Sequence, residues 1–244
     1  MKITFSVVEN VWYIGKAVLF YENDMEPPKH SPQSQIPIVN ETDEPAYSAD
    51  GVDLTLIRWM LSLSPTQRLL HLQKQINMLN RIRNARKRRW FFAIFEVLAK
   101  HKVSFIITCG VSAVLMGAPI STFDLDIIHH RTEENINRLL LALDELEAHY
   151  RIRRDIKIKP KKHGLEGNGH HLLLTTGGPL DILGTVGNWL SYMDILAETE
   201  KIDIASYTLQ VQSLHSLIAL KTTIGRPKDI ATIPILQQTL EEQT

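Results

Sequence analysis

Two carboxylates, Asp124 and Asp126, lie one residue apart in an otherwise apolar stretch, "FDLDII". In a β-strand alternate side chains share a face, so both carboxylates would project to the same side. Close carboxylates repel, and one takes up a proton unless a cation lies between them. A third acid, Asp181, has a similar apolar setting in "GGPLDIL". Three such acids could hold a divalent cation such as Mg²⁺ and accept a proton from an attacking hydroxyl.

Each of these aspartates, taken singly, could instead be a solvent-facing residue at a strand edge. The pattern Asp-x-Asp alone is short enough to arise by chance. The elements that surround the acids therefore decide between a structural and a chemical interpretation.

The composition is that of a globular protein: 244 residues, 44% hydrophobic, with 27 basic and 27 acidic side chains. A net charge of zero excludes a global attraction to nucleic acid or membrane, so any such preference must be local. The single cysteine, Cys109, excludes an intramolecular disulfide and a cysteine-based zinc cluster,. The apolar start is interrupted by Glu9 and Lys16, which is untypical of a signal peptide or a membrane span,. We expect a cytoplasmic protein without a membrane partner.

Three zones follow along the chain. Residues 1–50 form a poorly defined N-terminal segment, which begins with either a strand pair or an upstream extension and continues as a proline-rich linker. Five of the eleven prolines lie between residues 22 and 50, and such a segment cannot offset the entropy of ordering. Residues 51–101 are predicted to be a helical extension. Residues 102–244 are predicted to be the principal domain.

The helical extension contains a strong helix-start signature, "SPTQ", with Ser64 as N-cap and Gln67 completing a capping box,. An apolar stripe follows at helical spacing. This helix runs into "RIRNARKRR", in which six of nine residues are basic. The run could bind a nucleic-acid backbone, or it could be a solvated helix end whose cations suit the helix dipole. Its basic residues are Arg81, Arg83, Arg86, Lys87, Arg88 and Arg89.

The principal domain mixes strands and helices, which indicates an α/β or α+β sheet. Predicted strands are "VSFIITC", "FDLDIIH", "IKIKPK", "HHLLLTT", "PLDILG" and "YTLQVQS". Helices are predicted at 132–150, 213–223 and 228–241.

The ordered motifs of this domain resemble the nucleotidyltransferase (polymerase-beta-like) fold. A strand ends in a turn at Gly110 and Ser112, thirteen residues separate Gly110 from Asp124, and Asp181 follows on a later strand. "MGAPISTFDLDI" is similar to the stretch HGxPRxTxDLDI of bacterial relatives of the AbiEii-type toxins and minimal nucleotidyltransferases. The tail "SLIALKTTIGRPKD" resembles theirs as well. The resemblance implies an α+β fold, with a mixed sheet flanked by helices and the helical segment as an N-terminal extension.

The resemblance also implies a function: Mg²⁺-dependent transfer of a nucleoside monophosphate from an NTP to a hydroxyl acceptor. The acceptor would be tRNA or a protein, in a toxin-type enzyme with a cognate antitoxin. Asp124, Asp126 and Asp181 would be the catalytic and metal-binding residues. Backbone N–H groups of Gly110 and Ser112, at a helix start, would bind the phosphates of the nucleotide. Lys221, Arg226 and Lys228 could bind the triphosphate as well, but a structural role is equally open, with Asp229 as a helix N-terminal acid and Arg226 as its neighbour.

Two positions depart from the family pattern. Cys109 stands where the pattern has the first glycine of the phosphate turn, and Ile120 stands where an arginine is expected. A side chain at the turn could obstruct the approach of phosphate, and the isoleucine removes a phosphate donor. The alternative function is therefore a catalytically degenerate binding or regulatory module.

Overall fold

The computed structural model describes residues 11–14, 17–20, 44–82, 90–152 and 156–243. Contacts between Cα atoms divide the chain into two units, Met1–Glu44 and Pro45–Thr244. In the first unit, β1 (Val11–Ile14) and β2 (Ala17–Phe20) form an antiparallel pair. A strand pair is one of the two alternatives that the sequence leaves open for this segment, and most of the predicted proline-rich linker lies outside the described residues.

The second unit begins with three helices, α1 (Leu54–Ser62), α2 (Pro65–Ile82) and α3 (Trp90–Lys100). The predicted capping box is confirmed at the start of α2. The Ser64 N–H donates to Gln67 Oε1 at 2.8 Å, and the Gln67 N–H donates to Ser64 Oγ at 3.3 Å. These bonds satisfy two backbone donors that a helix start leaves without partners, so the sequence determines where α2 begins.

Strands and shorter helices alternate after α3. In chain order they are β3 (Phe105–Thr108), α4 (Cys109–Leu115), β4 (Leu125–His129), α5 (Glu133–Glu145), β5 (His149–Tyr150), α6 (Lys162–Glu166), β6 (His170–Thr175), β7 (Gly178–Leu183), α7 (Tyr192–Leu196), β8 (Thr199–Ile204), β9 (Tyr207–Gln212), α8 (Leu214–Ile224), α9 (Pro227–Ile230) and α10 (Ile233–Glu241).

The seven strands β3 to β9 form one sheet in the order β5-β6-β7-β4-β3-β9-β8. The pairs β4–β7 and β3–β9 are parallel, and the remaining neighbours are antiparallel. This arrangement confirms the predicted α+β class with a mixed sheet flanked by helices. The interior strand β3 is buried along its whole length, as its apolar, largely β-branched sequence "FIIT" predicts,.

The helices α2 and α3 share their hydrophobic core with the sheet. Phe91 and Phe95 of α3 belong to the same buried cluster as Ile107 of β3 and Ile127 of β4. A smaller cluster includes Ile106, Ile128 and Leu183 of the sheet with Ile195 of α7 and Leu220 of α8. The helical segment therefore packs as part of the second unit.

Arg68 of α2 also connects these helices to the site region. Its Nε donates to the Met60 carbonyl of α1 at 2.9 Å, and its Nη1 donates to the Leu115 carbonyl of α4 at 2.6 Å. The guanidinium thus satisfies C-terminal carbonyls of two helices at once.

Three predictions about single elements are wrong. The helix predicted at 132–150 ends with α5 at Glu145, and His149 and Tyr150 pair with β6 as the strand β5. The stretch "IKIKPK" is not a strand. Both Ile156 and Ile158 are exposed, so its alternation does not place an apolar face against the core. The helix predicted at 228–241 is interrupted. It is divided into α9 and α10, and Pro234 lies in the first turn of α10, where its missing N–H costs no helical hydrogen bond,.

The strand β8 was not predicted from the sequence. Its residues "TEKIDI" are largely polar, because β8 lies at the edge of the sheet and is mostly exposed. In the described part of the chain, no helix combines the length and the apolar character needed to cross a bilayer.

Candidate active site

The three predicted acids meet near the centre of the sheet. Asp126 on β4 is the register partner of Asp181 on the parallel strand β7 and of Thr108 on the antiparallel strand β3. Asp124 immediately precedes β4, and its Oδ1 accepts a hydrogen bond from Thr122 Oγ1 at 3.0 Å. Register partners project to the same face of a sheet, so the pairing of strands brings these carboxylates together.

Burial and neighbouring charges raise the pKa of two of these acids, Asp126 and Asp181. Burial, and then the charges of Asp124 and Asp181, raise the pKa of Asp126 to about 8, although Lys228 and Arg151 act in the opposite direction. Burial raises the pKa of Asp181 to about 6, and the charge of Arg151 opposes this shift. Such a cluster is typical of a site that binds a cation, because a cation removes the repulsion.

One residue of the site, Arg151, was missed by sequence reasoning. Its Nη2 donates to Asp181 Oδ1 and lies 3.9 Å from Asp124 Oδ2. Arg151 directly follows β5, and its backbone N–H donates to the Leu172 carbonyl of β6 at 3.0 Å. No local pattern marks this arginine, since its position depends on the pairing of β5 with β6.

The turn between β3 and α4 is tightly packed. Cys109 adopts a left-handed conformation with φ 56°. Burial, and then the charge of Asp126, raise the pKa of its thiol to about 12, so the thiol stays protonated and is a poor nucleophile,. A Cβ at Gly110 would lie only 2.6 Å from the Cβ of Thr122. Glycine is therefore required at position 110 by the contact with the segment that leads into β4.

The side chain of Ser112 belongs to the scaffold. It is fully buried, and its Oγ donates to the Gln212 carbonyl of β9 at 2.6 Å. The predicted phosphate contacts of Gly110 and Ser112 therefore concern their backbone N–H groups, in the first turns of α4, and they stay a prediction. Ile120, where an arginine was expected, packs against the main hydrophobic core.

The three basic residues of the C-terminal tail have different surroundings. Lys221 Nζ lies 2.7 Å from Asp229 Oδ1, and Arg226 Nε lies 2.5 Å from Asp229 Oδ2. Burial alone would raise the pKa of Asp229, but these hydrogen bonds hold it below its ordinary value. Lys228 is exposed and lowers the pKa of Asp126. Lys228 thus acts directly on the acids, whereas the other two cations share a buried carboxylate.

The predicted nucleic-acid patch falls largely outside the described residues. Arg83, Arg86, Lys87, Arg88 and Arg89 are not described, and Arg81 lies in the last turn of α2. The interpretation of this run as an RNA contact stays a prediction.

The donor set of the site suits a hard divalent cation by its chemistry, since it consists of carboxylate oxygens. Within the described ranges, however, no three His, Cys, Asp or Glu side chains have their ligand atoms arranged around one metal position. The Arg151 guanidinium, close to Asp124 and bonded to Asp181, supplies positive charge in this arrangement.

Comparison with known proteins gives similarity only among solved structures. No protein-family model and no curated protein matches the chain. A crystal structure of a provisionally named nucleotidyltransferase from Thermotoga maritima matches 62% of this chain and 89% of its own, at 20% identity and a TM-score of 0.39. The solution structure of the antibiotic-resistance factor ANT(2'')-Ia matches 62% of this chain and 80% of its own, at 11% identity and a TM-score of 0.39. At these scores both structures resemble the chain loosely, and the chemistry of the site is inferred from its own residues.

Proposed function

We propose that the protein is a Mg²⁺-dependent nucleotidyltransferase that moves a nucleoside monophosphate from an NTP to a hydroxyl acceptor. The observation that carries this proposal is the register pairing of Asp126 with Asp181, with Asp124 beside them. Burial, together with the charge of neighbouring acids, raises the pKa of Asp126 and of Asp181, so leaving these acids ionised is costly without a cationic ligand. The family resemblance of the ordered motifs supports the same reaction.

The acids take separate roles in this proposal. Asp124 and Asp126 would hold Mg²⁺, which neutralises charge on the phosphates of the bound NTP, and Asp181 would complete a second metal position. Asp181, whose pKa is raised to about 6, is largely ionised at neutral pH and suits a general base. It would accept the proton of the acceptor hydroxyl as the new O–P bond forms at the α-phosphorus. The bond from that phosphorus to the bridging oxygen breaks, and pyrophosphate leaves.

The phosphates would be bound by the tail and by the turn after β3. Lys228 has the best placement, because its charge already acts on Asp126. Lys221 and Arg226, which both form ion pairs with Asp229, would add positive charge near the phosphates. Backbone N–H groups of Gly110 and Ser112 would complete the contacts, as N–H groups at a helix start bind anions.

The reaction is tested by incubating the protein with labelled NTPs, Mg²⁺ and either total RNA or cell protein. We expect labelling by the wild type, and a loss of about a hundredfold or more in Asp126→Asn, since charge stabilisation dominates such reactions. Asp203→Asn is the matched control, because Asp203 is an exposed residue of β8 that pairs with Thr208. Equal labelling by the wild type and Asp126→Asn would contradict the proposal.

The acceptor distinguishes finer versions of this function. A labelled RNA would favour tRNA as the acceptor, and a labelled polypeptide would favour a protein. Either result would be compatible with a cytoplasmic toxin-type enzyme controlled by a cognate antitoxin. Co-expression with the product of the neighbouring reading frame, followed by the same labelling assay, tests the antitoxin directly.

A second candidate function is a nucleotidyltransferase-like binding or regulatory module without turnover. It is favoured by two observations at the turn: the left-handed Cys109 in place of glycine, and the core packing of Ile120 in place of arginine. Calorimetry with NTP separates the two candidates. NTP binding that does not depend on Mg²⁺, together with no labelling of any acceptor, would favour the module.

A further inference from the structure

Arg151 reaches the acids across the face of the sheet. Leu172 on β6 is the register partner of Asp181 on β7, and Asp181 is the register partner of Asp126 on β4. Arg151 continues this row, because its N–H donates to the Leu172 carbonyl. The guanidinium spans the intervening strand to bond Asp181 and to approach Asp124. Its place in the site is thus set by three consecutive strand pairings.

The guanidinium and a divalent metal would compete for the same oxygens. Asp181 is almost fully buried, so it needs a positive partner at all times,. Arg151 provides that partner through a charge-assisted hydrogen bond,. A metal held by Asp181 and Asp124 would bring a second positive charge against the guanidinium, and the two cations would repel.

We propose that Arg151 is a positioning residue of the acid site. It is the counter-ion that holds Asp181 and Asp124 in the metal-free state, and it leaves these carboxylates when a divalent cation binds. This inference rests on the proposed function, since it takes the acids to be the metal ligands. Arg151 thus neutralises the buried acids while no metal is bound. Because the metal must displace it, the metal binds less tightly than it would without Arg151.

The affinity for Mn²⁺, used as a spectroscopic substitute for Mg²⁺, tests the exchange without any substrate. We expect Arg151→Gln to bind Mn²⁺ about tenfold more tightly than the wild type, because a charge-assisted hydrogen bond no longer has to be broken. Arg151→Lys keeps the positive charge and should stay closer to the wild type. Arg138→Gln is the matched control, since Arg138 pairs with Glu134 within α5, and its affinity should equal that of the wild type.

The direction of the change separates this role from a purely structural one. If Arg151 only supported the fold, its loss would loosen the acids and weaken Mn²⁺ binding. Equal or weaker binding by Arg151→Gln therefore overturns the inference, while Mn²⁺ binding by the wild type would leave the proposed function intact. Mn²⁺ binding by Arg151→Gln but not by the wild type supports the inference. The absence of binding in both proteins overturns it, and the labelling assay then judges the proposed function separately.

A folding control accompanies these measurements. Circular dichroism of the metal-free Arg151→Gln protein shows whether the variant keeps its fold. If it does not fold, Arg151→Met replaces it, because methionine keeps an apolar stem along the sheet without the charge, and the same tenfold tightening is expected.

Discussion

Asp126 on β4 and Asp181 on β7 are register partners in parallel strands, so the sheet holds two carboxylates side by side. Their separation is fixed by backbone hydrogen bonds, and neither acid can move away without disturbing a central strand. The repulsion between them is therefore built into the fold. A cation, a proton or both must offset it.

The first prediction concerns Asp126 in the metal-free protein. Its pKa is raised to about 8, chiefly by burial, so the folded state keeps a proton that the unfolded chain releases near pH 4. The stability from this proton is complete below pH 4 and is lost as the pH rises towards 8. Asparagine cannot ionise, so the free energy of unfolding of Asp126→Asn, relative to that of the wild type, should rise by about 3–4 kcal/mol between pH 5 and pH 8.

Thermal unfolding in EDTA at several pH values measures this difference. A gain of that size corresponds to a rise in Tm of about 6–16 °C relative to the wild type. The control Asp203→Asn, at an exposed position of β8, should follow the pH dependence of the wild type. If Tm depends on pH in the same way for Asp126→Asn and the wild type, the raised pKa of Asp126 is contradicted.

The second prediction concerns the contact between Gly110 and Thr122. A Cβ at position 110 would lie 2.6 Å from the Thr122 Cβ and 2.7 Å from its Oγ1. Gly110→Ala should therefore lower the free energy of unfolding by about 1–3 kcal/mol, as overpacking typically does. Urea unfolding measures the loss. Gly169→Ala is the matched control, because a Cβ there meets nothing within 4 Å, and equal stability of the two variants would refute the contact.

The third prediction tests whether the helical segment and the sheet unfold together. Phe95 of α3 is fully buried in the cluster that includes Ile107 and Ile127 of the sheet. Phe95→Ala should lower the free energy of unfolding by about 3–5 kcal/mol, because apolar burial is lost and a cavity remains. Unfolding followed by circular dichroism and by tryptophan fluorescence should give one shared transition. Two separate transitions would instead assign residues 51–101 and 102–244 to independent domains.

The fourth prediction concerns the basic run after α2. If the acceptor is RNA and this run contacts its backbone, affinity should fall steeply with salt, by roughly one log unit of slope per phosphate contact. Replacing Arg86, Lys87, Arg88 and Arg89 by Ser should flatten that slope and leave NTP affinity unchanged. Filter binding of RNA over a salt series measures the slope, and filter binding of labelled NTP measures the NTP affinity. An unchanged slope would identify the run as a solvated helix end.

Sequence patterns correctly predicted the elements that depend only on residues close together in the chain. The capping box of Ser64 and Gln67 formed as expected, because its donors and acceptors lie within one helical turn. The alternation in "IKIKPK" was misleading, since a strand also needs a neighbour to pair with and a layer to cover one face. Ile156 and Ile158 have no such cover and remain exposed.

The sequence by itself determined the acids: their types, their spacing at 124 and 126, and the apolar strands that carry Asp126 and Asp181. Only the tertiary structure decided that these two acids are register partners, and that Arg151 is the cation bonded to Asp181. The reason is physical. Spacing along the chain sets which side chains share one strand face. Proximity between strands also depends on the pairings β5–β6 and β7–β4, which join residues far apart in sequence,.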